Sequence, residues 1–120
     1  MAESEQSAVD IATAVRSGAT TARTQVEAAL ARLEERNLEV NAFTTIRRDE
    51  AMAEADALDA GGVGHDGLLA GVPVAVKEEY DVTGTVTTLG GCGNSTPKIR
   101  DSEAIRRLRA AGAIIIGTLL

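Results

Sequence analysis

The clearest pattern in the first half of the chain is helical. Between Thr21 and Asn37, four apolar residues fall on one face, with charged residues away from it: Val26, Ala29, Leu30 and Leu33. Thr20 or Thr21 is expected to cap the start of this helix, and Asn37 its end. A loosely helical segment, residues 8–17, precedes it, and an alanine-rich acidic helix, residues 47–60, follows it.

Apolar and β-branched runs replace the helical pattern in the second half. Residues 68–76 and 113–116 are nearly all apolar, which is typical of strands buried on both faces of a parallel sheet. A shorter β-branched segment, residues 41–46, is also expected to be extended. Between the two long runs, the pattern predicts a loop rich in Gly, Thr and Ser over residues 80–97. A helix capped by Ser102 or the residue before it follows, with the nearby arginines pointing outward.

These elements predict an α/β protein in two parts. Residues 1–61 form an N-terminal helical segment, and residues 62–120 form one parallel, right-handed βαβ unit, the start of a larger α/β core. Two strands do not complete a sheet, and the second leaves bare Ile and Leu residues at the terminus. We therefore expect a piece of something larger that is poorly soluble, partly molten or self-associated alone.

Composition and charge narrow the range of functions. The 120 residues include one Phe, one Tyr and no Trp, so the core must be aliphatic. A net charge of −6 argues against nucleic acid and anionic membranes as partners. One Cys and one His cannot build a structural zinc site, and we predict neither a metal nor a cofactor. A polar, acidic start and the lack of a membrane-length apolar segment indicate a cytoplasmic protein.

A glycine-rich segment, Gly62-Val-Gly64-His-Asp-Gly67, has the G-x-G-x-x-G spacing of dinucleotide-binding proteins. That motif needs a strand before it and a helix after it, so that the helix N-terminus can hold the pyrophosphate. Here the predicted helix precedes and the strand follows. A flexible loop is therefore the better interpretation.

Cys92 raises a second possibility, because a cysteine nucleophile needs a nearby base. Lys77, Glu78 and His65 are the nearest candidates in sequence, and a Cys with a carboxylate and a Lys could hydrolyse C–N bonds. The simpler interpretation is that Cys92 is a small residue in a tight loop and that His65 is solvated on the surface.

Lys77 is the most informative residue. The chain has two lysines, and Lys98 lies in a polar loop, whereas Lys77 follows an apolar strand at its C-terminal end. Open α/β sheets bind their ligands at that end, and partial withdrawal from water would favour the neutral amine that a general base needs. Alternatively, the ammonium group stays in water and pairs with Glu78 or Glu79. The residues alone leave both interpretations open.

Two blocks of the sequence resemble those of the amidase signature family. The first is Gly71-Val-Pro-Val-Ala-Val-Lys77-Glu, with Asp81-Val-Thr-Gly84 and Thr87-Thr88 after it. The second is Arg106-Arg-Leu-Arg-Ala-Ala-Gly-Ala-Ile-Ile-Ile-Gly117. The resemblance extends over nearly the whole chain, and it implies that the two predicted strands begin the α/β/α sheet of that family.

The resemblance implies that Lys77 belongs to a Ser–cis-Ser–Lys triad. Such enzymes hydrolyse linear carboxamides through an acyl-enzyme, and a neutral lysine deprotonates a bridging serine that activates the nucleophilic serine. The implied partner is a small amide substrate, with a homo-oligomer possible. Glu78 stands where the family usually has Asp. Both triad serines lie further along the family's chain, and Ser95 and Ser102 do not match them, so we expect the 120 residues to be inactive alone.

Two alternatives stay open beside a stand-alone amidase. One is a protein like the amidase component of a tRNA-dependent amidotransferase, which shares the same motifs and passes on the ammonia it releases. The loop over residues 80–97 looks more like that of the stand-alone amidases. The other alternative is a non-catalytic remnant or interaction fragment, which the missing serines favour.

Overall fold

The computed structural model describes residues 6–89 and 96–120. Within them, four helices and three strands follow the order α1 (Ala8–Ser17), α2 (Ala22–Val40), β1 (Phe43–Ile46), α3 (Arg48–Asp59), β2 (Pro73–Lys77), α4 (Glu103–Ala110) and β3 (Ile114–Leu119). The mixed α/β class predicted from the sequence is confirmed.

Polar side chains set the starts of the first two helices. Ser7 and Asp10 form a reciprocal capping box at α1, with Ser7 Oγ accepting from the Asp10 N–H at 3.0 Å. Thr21 caps α2, as predicted, by accepting from the Thr24 N–H at 3.1 Å. The predicted end of α2 at Asn37 is wrong: the helix continues to Val40, and the Asn37 side chain accepts from the backbone of the next strand instead.

The three strands form one sheet in the order β1-β3-β2. β2 and β3 are parallel, which confirms the predicted βαβ unit with α4 as its crossover. β1 pairs with β3 antiparallel, in the register Phe43↔Leu119 and Ile46↔Gly117. The expectation of a bare C-terminal strand is therefore wrong, because β3 has hydrogen-bonded neighbours along both edges. Poor solubility of the chain stays a prediction.

Helices cover both faces of the sheet. Helices α2 and α3 pack on one face in the larger apolar cluster, which includes Val26, Leu30, Leu58, Ile114 and Ile116. Helix α4 packs on the other face in a cluster of Val76, Val82, Ile105 and Ile115. The predicted strand over residues 68–76 is wrong in its start and its burial, because residues 68–71 form turns and β2, from Pro73, is mostly half-buried. The proline is thus the first strand residue, where the loss of its N–H is tolerated.

The Gly62–Gly67 segment packs closely against the connection between α4 and β3. A Cβ on Gly64 would lie 2.5 Å from the Gly112 Cα, and one on Gly67 would lie 2.1 Å from the Ala111 oxygen. The segment is a loop, as predicted, and its glycines allow close backbone contact, while its flexibility stays a prediction. His65 is exposed, as expected.

We expect Gly112→Ala to destabilise the chain more than Gly18→Ala. Both glycines have positive φ, +100° and +80°, so alanine is strained at either site by about 1–2 kcal/mol. At Gly112 a Cβ would also lie 2.4 Å from the Gly64 oxygen, whereas nothing lies within 4 Å of a Cβ at Gly18. The free energy of unfolding in urea should therefore fall by about 1–3 kcal/mol more in Gly112→Ala than in Gly18→Ala. Equal losses would show that the close packing of this segment contributes nothing.

Candidate functional site

Lys77 is the last residue of β2 and lies opposite Leu119 in the parallel ladder. Backbone bonds hold both sides of this position: Tyr80 N–H donates to the Lys77 oxygen at 3.1 Å, and Glu78 N–H donates to the Leu119 oxygen at 2.7 Å. The predicted location at the C-terminal end of a parallel strand is thus found in the structure.

The Lys77 side chain is exposed, which corrects the expectation that it is partly withdrawn from water. Lys77 is the last residue of β2 and lies beyond the apolar clusters that cover the two faces of the sheet. The alternative of pairing with a neighbouring carboxylate is not found either. In residues 6–89 and 96–120, no ion pair joins Lys77 to Glu78 or Glu79.

A groove of about 540 Å³ runs between β2 and α4, and Lys77 forms part of its lining. Tyr80 and Arg107 supply the other polar side chains, and the apolar lining includes Leu69, Val76, Ile105 and Leu108. A largely apolar groove with a few polar groups has the composition of small-molecule binding sites.

Glu78 is a further functional candidate, and its burial could not be predicted from the sequence. Although it is charged and directly follows the exposed lysine, it is only 4% exposed. Its carboxylate accepts a hydrogen bond from the Thr88 hydroxyl. The strand end therefore carries one lysine directed to solvent and one carboxylate directed into the protein.

Two aspartates order the chain that follows Lys77. Asp81 accepts from the Thr87 hydroxyl at 2.7 Å, and its carboxylate lies 3.9 Å from the Lys98 amine. Asp101 accepts from both the backbone N–H and the hydroxyl of Thr83, at 2.9 and 3.0 Å. The two lysines of the chain thus differ, because Lys98 has a carboxylate partner in this loop.

A partly buried ionic network connects α3, α4 and β3, and it corrects the prediction that the arginines of α4 all point outward. Arg109 contacts Glu54 and lies 2.9 Å from the Asp101 carboxylate. Glu54 in turn pairs with Arg47 at 3.1 Å. The inward position of Arg109 could have been predicted, because Arg109 lies four residues after Ile105 and so shares the inner face of the helix.

The cysteine alternative stays untested, because Cys92 and Ser95 lie outside the described residues. Ser102 occupies the N-cap position of α4, and its backbone N–H donates to the backbone carbonyl oxygen of Asp81 at 2.9 Å.

Within the described ranges, no three His, Cys, Asp or Glu side chains are arranged to hold a metal ion. The helices described here include none long and apolar enough to cross a bilayer.

Comparison with known proteins identifies the family. The family model described as Amidase matches residues 24–119. This chain belongs to the amidase family. The matched residues include all three strands, the groove and Lys77.

Individual relatives agree with this assignment. The putative amidase AmiB2 of Mycobacterium tuberculosis (strain H37Rv) is 44% identical over 105 residues, which cover 83% of this amidase-family chain and 22% of the relative. A glutamyl-tRNA(Gln) amidotransferase subunit from Lacticaseibacillus paracasei is 40% identical, with coverage of 86% and 22%. The chain thus spans about a quarter of the length of the curated relatives it matches.

A solved structure supports the fold. A bacterial aryl acylamidase of the amidase signature family superposes with a TM-score of 0.80 at 27% identity, over 95% of this chain and 25% of that protein. The helices and the three-stranded sheet described above therefore have the arrangement found in amidase signature enzymes.

Proposed function

We propose that this chain supplies the base, Lys77, of an enzyme that hydrolyses linear amides through an acyl-enzyme. The observation that carries the proposal is the position of Lys77: an exposed amine at the C-terminal end of a parallel strand, beside a groove, within the segment matched by the family model. The serines of the proposed Ser–cis-Ser–Lys triad are not among the described residues.

The proposed reaction moves one proton along the triad. The unprotonated Lys77 amine accepts a proton from a bridging serine, which accepts one from the nucleophilic serine as that oxygen attacks the amide carbon. The C–N bond then breaks, the amine leaves with the proton returned through the same groups, and water hydrolyses the acyl ester. In acylation Lys77 acts first as a base and then, in its protonated form, as the acid for the leaving amine, and deacylation repeats this order with water as the nucleophile and serine as the leaving group.

An amidotransferase component is the second candidate. The relative of that name is 40% identical over 86% of this chain, only slightly below the putative amidase. Both candidates use the same chemistry at the amide and differ in the fate of the ammonia, so Lys77 has the same role in each. A protein that needs a second, different chain for full turnover would favour the amidotransferase.

The size and activity of the native protein test the proposal. We expect the 120 residues alone, of 12.4 kDa, to turn over no simple amide, because a lysine without a serine nucleophile cannot form the acyl-enzyme. The native protein, isolated from its source and with its mass corrected for any tag, should release ammonia from aliphatic amides. A native product of 12.4 kDa with no amidase activity would support the remnant alternative instead.

A further inference from the structure

The carboxylate of Glu78 is buried, which is unusual for a charged side chain. A charged side chain that is 4% exposed has lost most of its contact with water, and such burial is costly unless hydrogen bonds compensate for it. The neighbouring Glu79 carries the same charge and is exposed. Since a glutamate at this surface can remain solvated, the inward direction of Glu78 has to serve the local structure.

One side-chain bond, which compensates for the buried Glu78 carboxylate, and two backbone bonds converge on the strand end that carries Lys77. The Glu78 carboxylate accepts from the Thr88 hydroxyl, and the Glu78 N–H donates to the Leu119 oxygen at 2.7 Å. The Tyr80 N–H then donates to the Lys77 oxygen at 3.1 Å and closes a turn. The backbone on both sides of the Lys77 side chain is therefore fixed, with one anchor in β3 and one in the loop that begins at Tyr80.

The hydrogen bond from Thr88 to the Glu78 carboxylate, called the anchor below, affects the neighbouring Lys77 amine through the backbone. The Lys77 side chain is exposed, and within residues 6–89 and 96–120 no hydrogen bond or ion pair holds its amine. The backbone at residue 77 sets the Cα–Cβ direction from which the Lys77 side chain starts, and the bond from Thr88 to the Glu78 carboxylate helps to hold this backbone. A carboxylate one residue away thus acts on Lys77 through the peptide rather than by direct pairing.

We propose that Glu78, held by Thr88, is a positioning residue that fixes the end of β2 and so directs the Lys77 amine toward the reacting groups. This inference rests on the proposed function of Lys77. It assigns no contact with substrate to Glu78. It predicts that loss of the anchor slows the reaction and leaves substrate binding nearly intact.

Hydrogen exchange of the native protein, measured at the Glu78 and Tyr80 amides, tests the anchor without any need for activity. Thr88→Val removes the hydroxyl at nearly constant volume, and Glu78→Gln removes the charge, whereas Thr88→Ser keeps the hydroxyl. We expect the Tyr80 and Glu78 amides to exchange at least about tenfold faster in Thr88→Val and Glu78→Gln. Thr88→Ser and the matched control Glu79→Gln should exchange as the parent chain does. Equal exchange in all four variants overturns the proposal.

Kinetics of the native protein test the consequence for Lys77. We expect Thr88→Val and Glu78→Gln to lower kcat by about tenfold to a hundredfold, since small misplacement of a reacting group has effects of that size. KM should change by less than about threefold, and neither change should lower the rate further in a Lys77→Met background. Unchanged kcat in both variants, with Lys77→Met inactive, overturns the positioning role and leaves the proposed function intact. Full activity of Lys77→Met overturns the proposed function, and the exchange rates alone then decide whether Glu78 anchors the strand.

Discussion

Replacing Lys77 by methionine should lower amide hydrolysis by the native protein by about 10²–10⁴-fold, the usual contribution of a positioned general base. Methionine keeps most of the length of the stem and removes the amine. Folding should survive, because the Lys77 side chain is exposed and its backbone bonds to Tyr80 and across the β2–β3 ladder do not involve the amine. The measurement is kcat/KM for a simple amide, with the unfolding midpoint recorded for the same sample.

Lys98 offers a matched control for this prediction. It is the other lysine of the chain, and its amine lies 3.9 Å from the Asp81 carboxylate in the loop that precedes α4. Lys98→Met removes the same charge and should leave the rate within about twofold of the parent, since a half-exposed ion pair contributes little. Equal losses in both variants would point to net charge rather than to a base at residue 77.

The strand and the position of Lys77 could be predicted because they depend on local sequence. The apolar β-branched run over residues 68–76, followed by Lys77, predicts a buried strand, and a helix between two such runs predicts parallel pairing. The resemblance to the amidase signature family rested on these same residues. The structure confirms the parallel pairing and the place of Lys77 at the strand end, although β2 is shorter and less buried than predicted, and the family comparison confirms the resemblance.

The rest depended on contacts between residues far apart in sequence. β1 pairs with β3 across more than seventy residues, and nothing in its four-residue segment identifies that partner. The exposure of Lys77 depends on what packs beyond the strand end, which the strand itself does not encode. The burial of Glu78 depends on a hydroxyl ten residues later, so a pattern read along the strand could not distinguish it from Glu79.

A second large effect is expected at Arg47, which lies at the junction between the N-terminal helices and the sheet. Its side chain is 6% exposed, donates to the Ile115 oxygen at 2.6 Å and pairs with Glu54. Burial lowers the pKa of Arg47 from its usual value, against the opposing effect of Glu50, but an arginine remains charged at neutral pH. The guanidinium thus satisfies a carbonyl of the central strand and a carboxylate of α3 together.

We expect Arg47→Met to reduce the free energy of unfolding by about 3–5 kcal/mol, because it leaves the Ile115 oxygen and the Glu54 carboxylate without this donor. Arg109 still contacts Glu54 and moderates the loss. Urea denaturation monitored by far-UV circular dichroism measures the difference.

Arg48→Met is the control, since the adjacent arginine makes a surface pair with Glu34 and both side chains are about half exposed. That variant should lose no more than about 1 kcal/mol. A double variant, Arg47→Met with Glu54→Gln, should lose less than the sum of its single changes, because it removes both charges of the pair. If Arg47→Met and Arg48→Met were equally stable, the buried network would not be what holds α3 and α4 to the central strand.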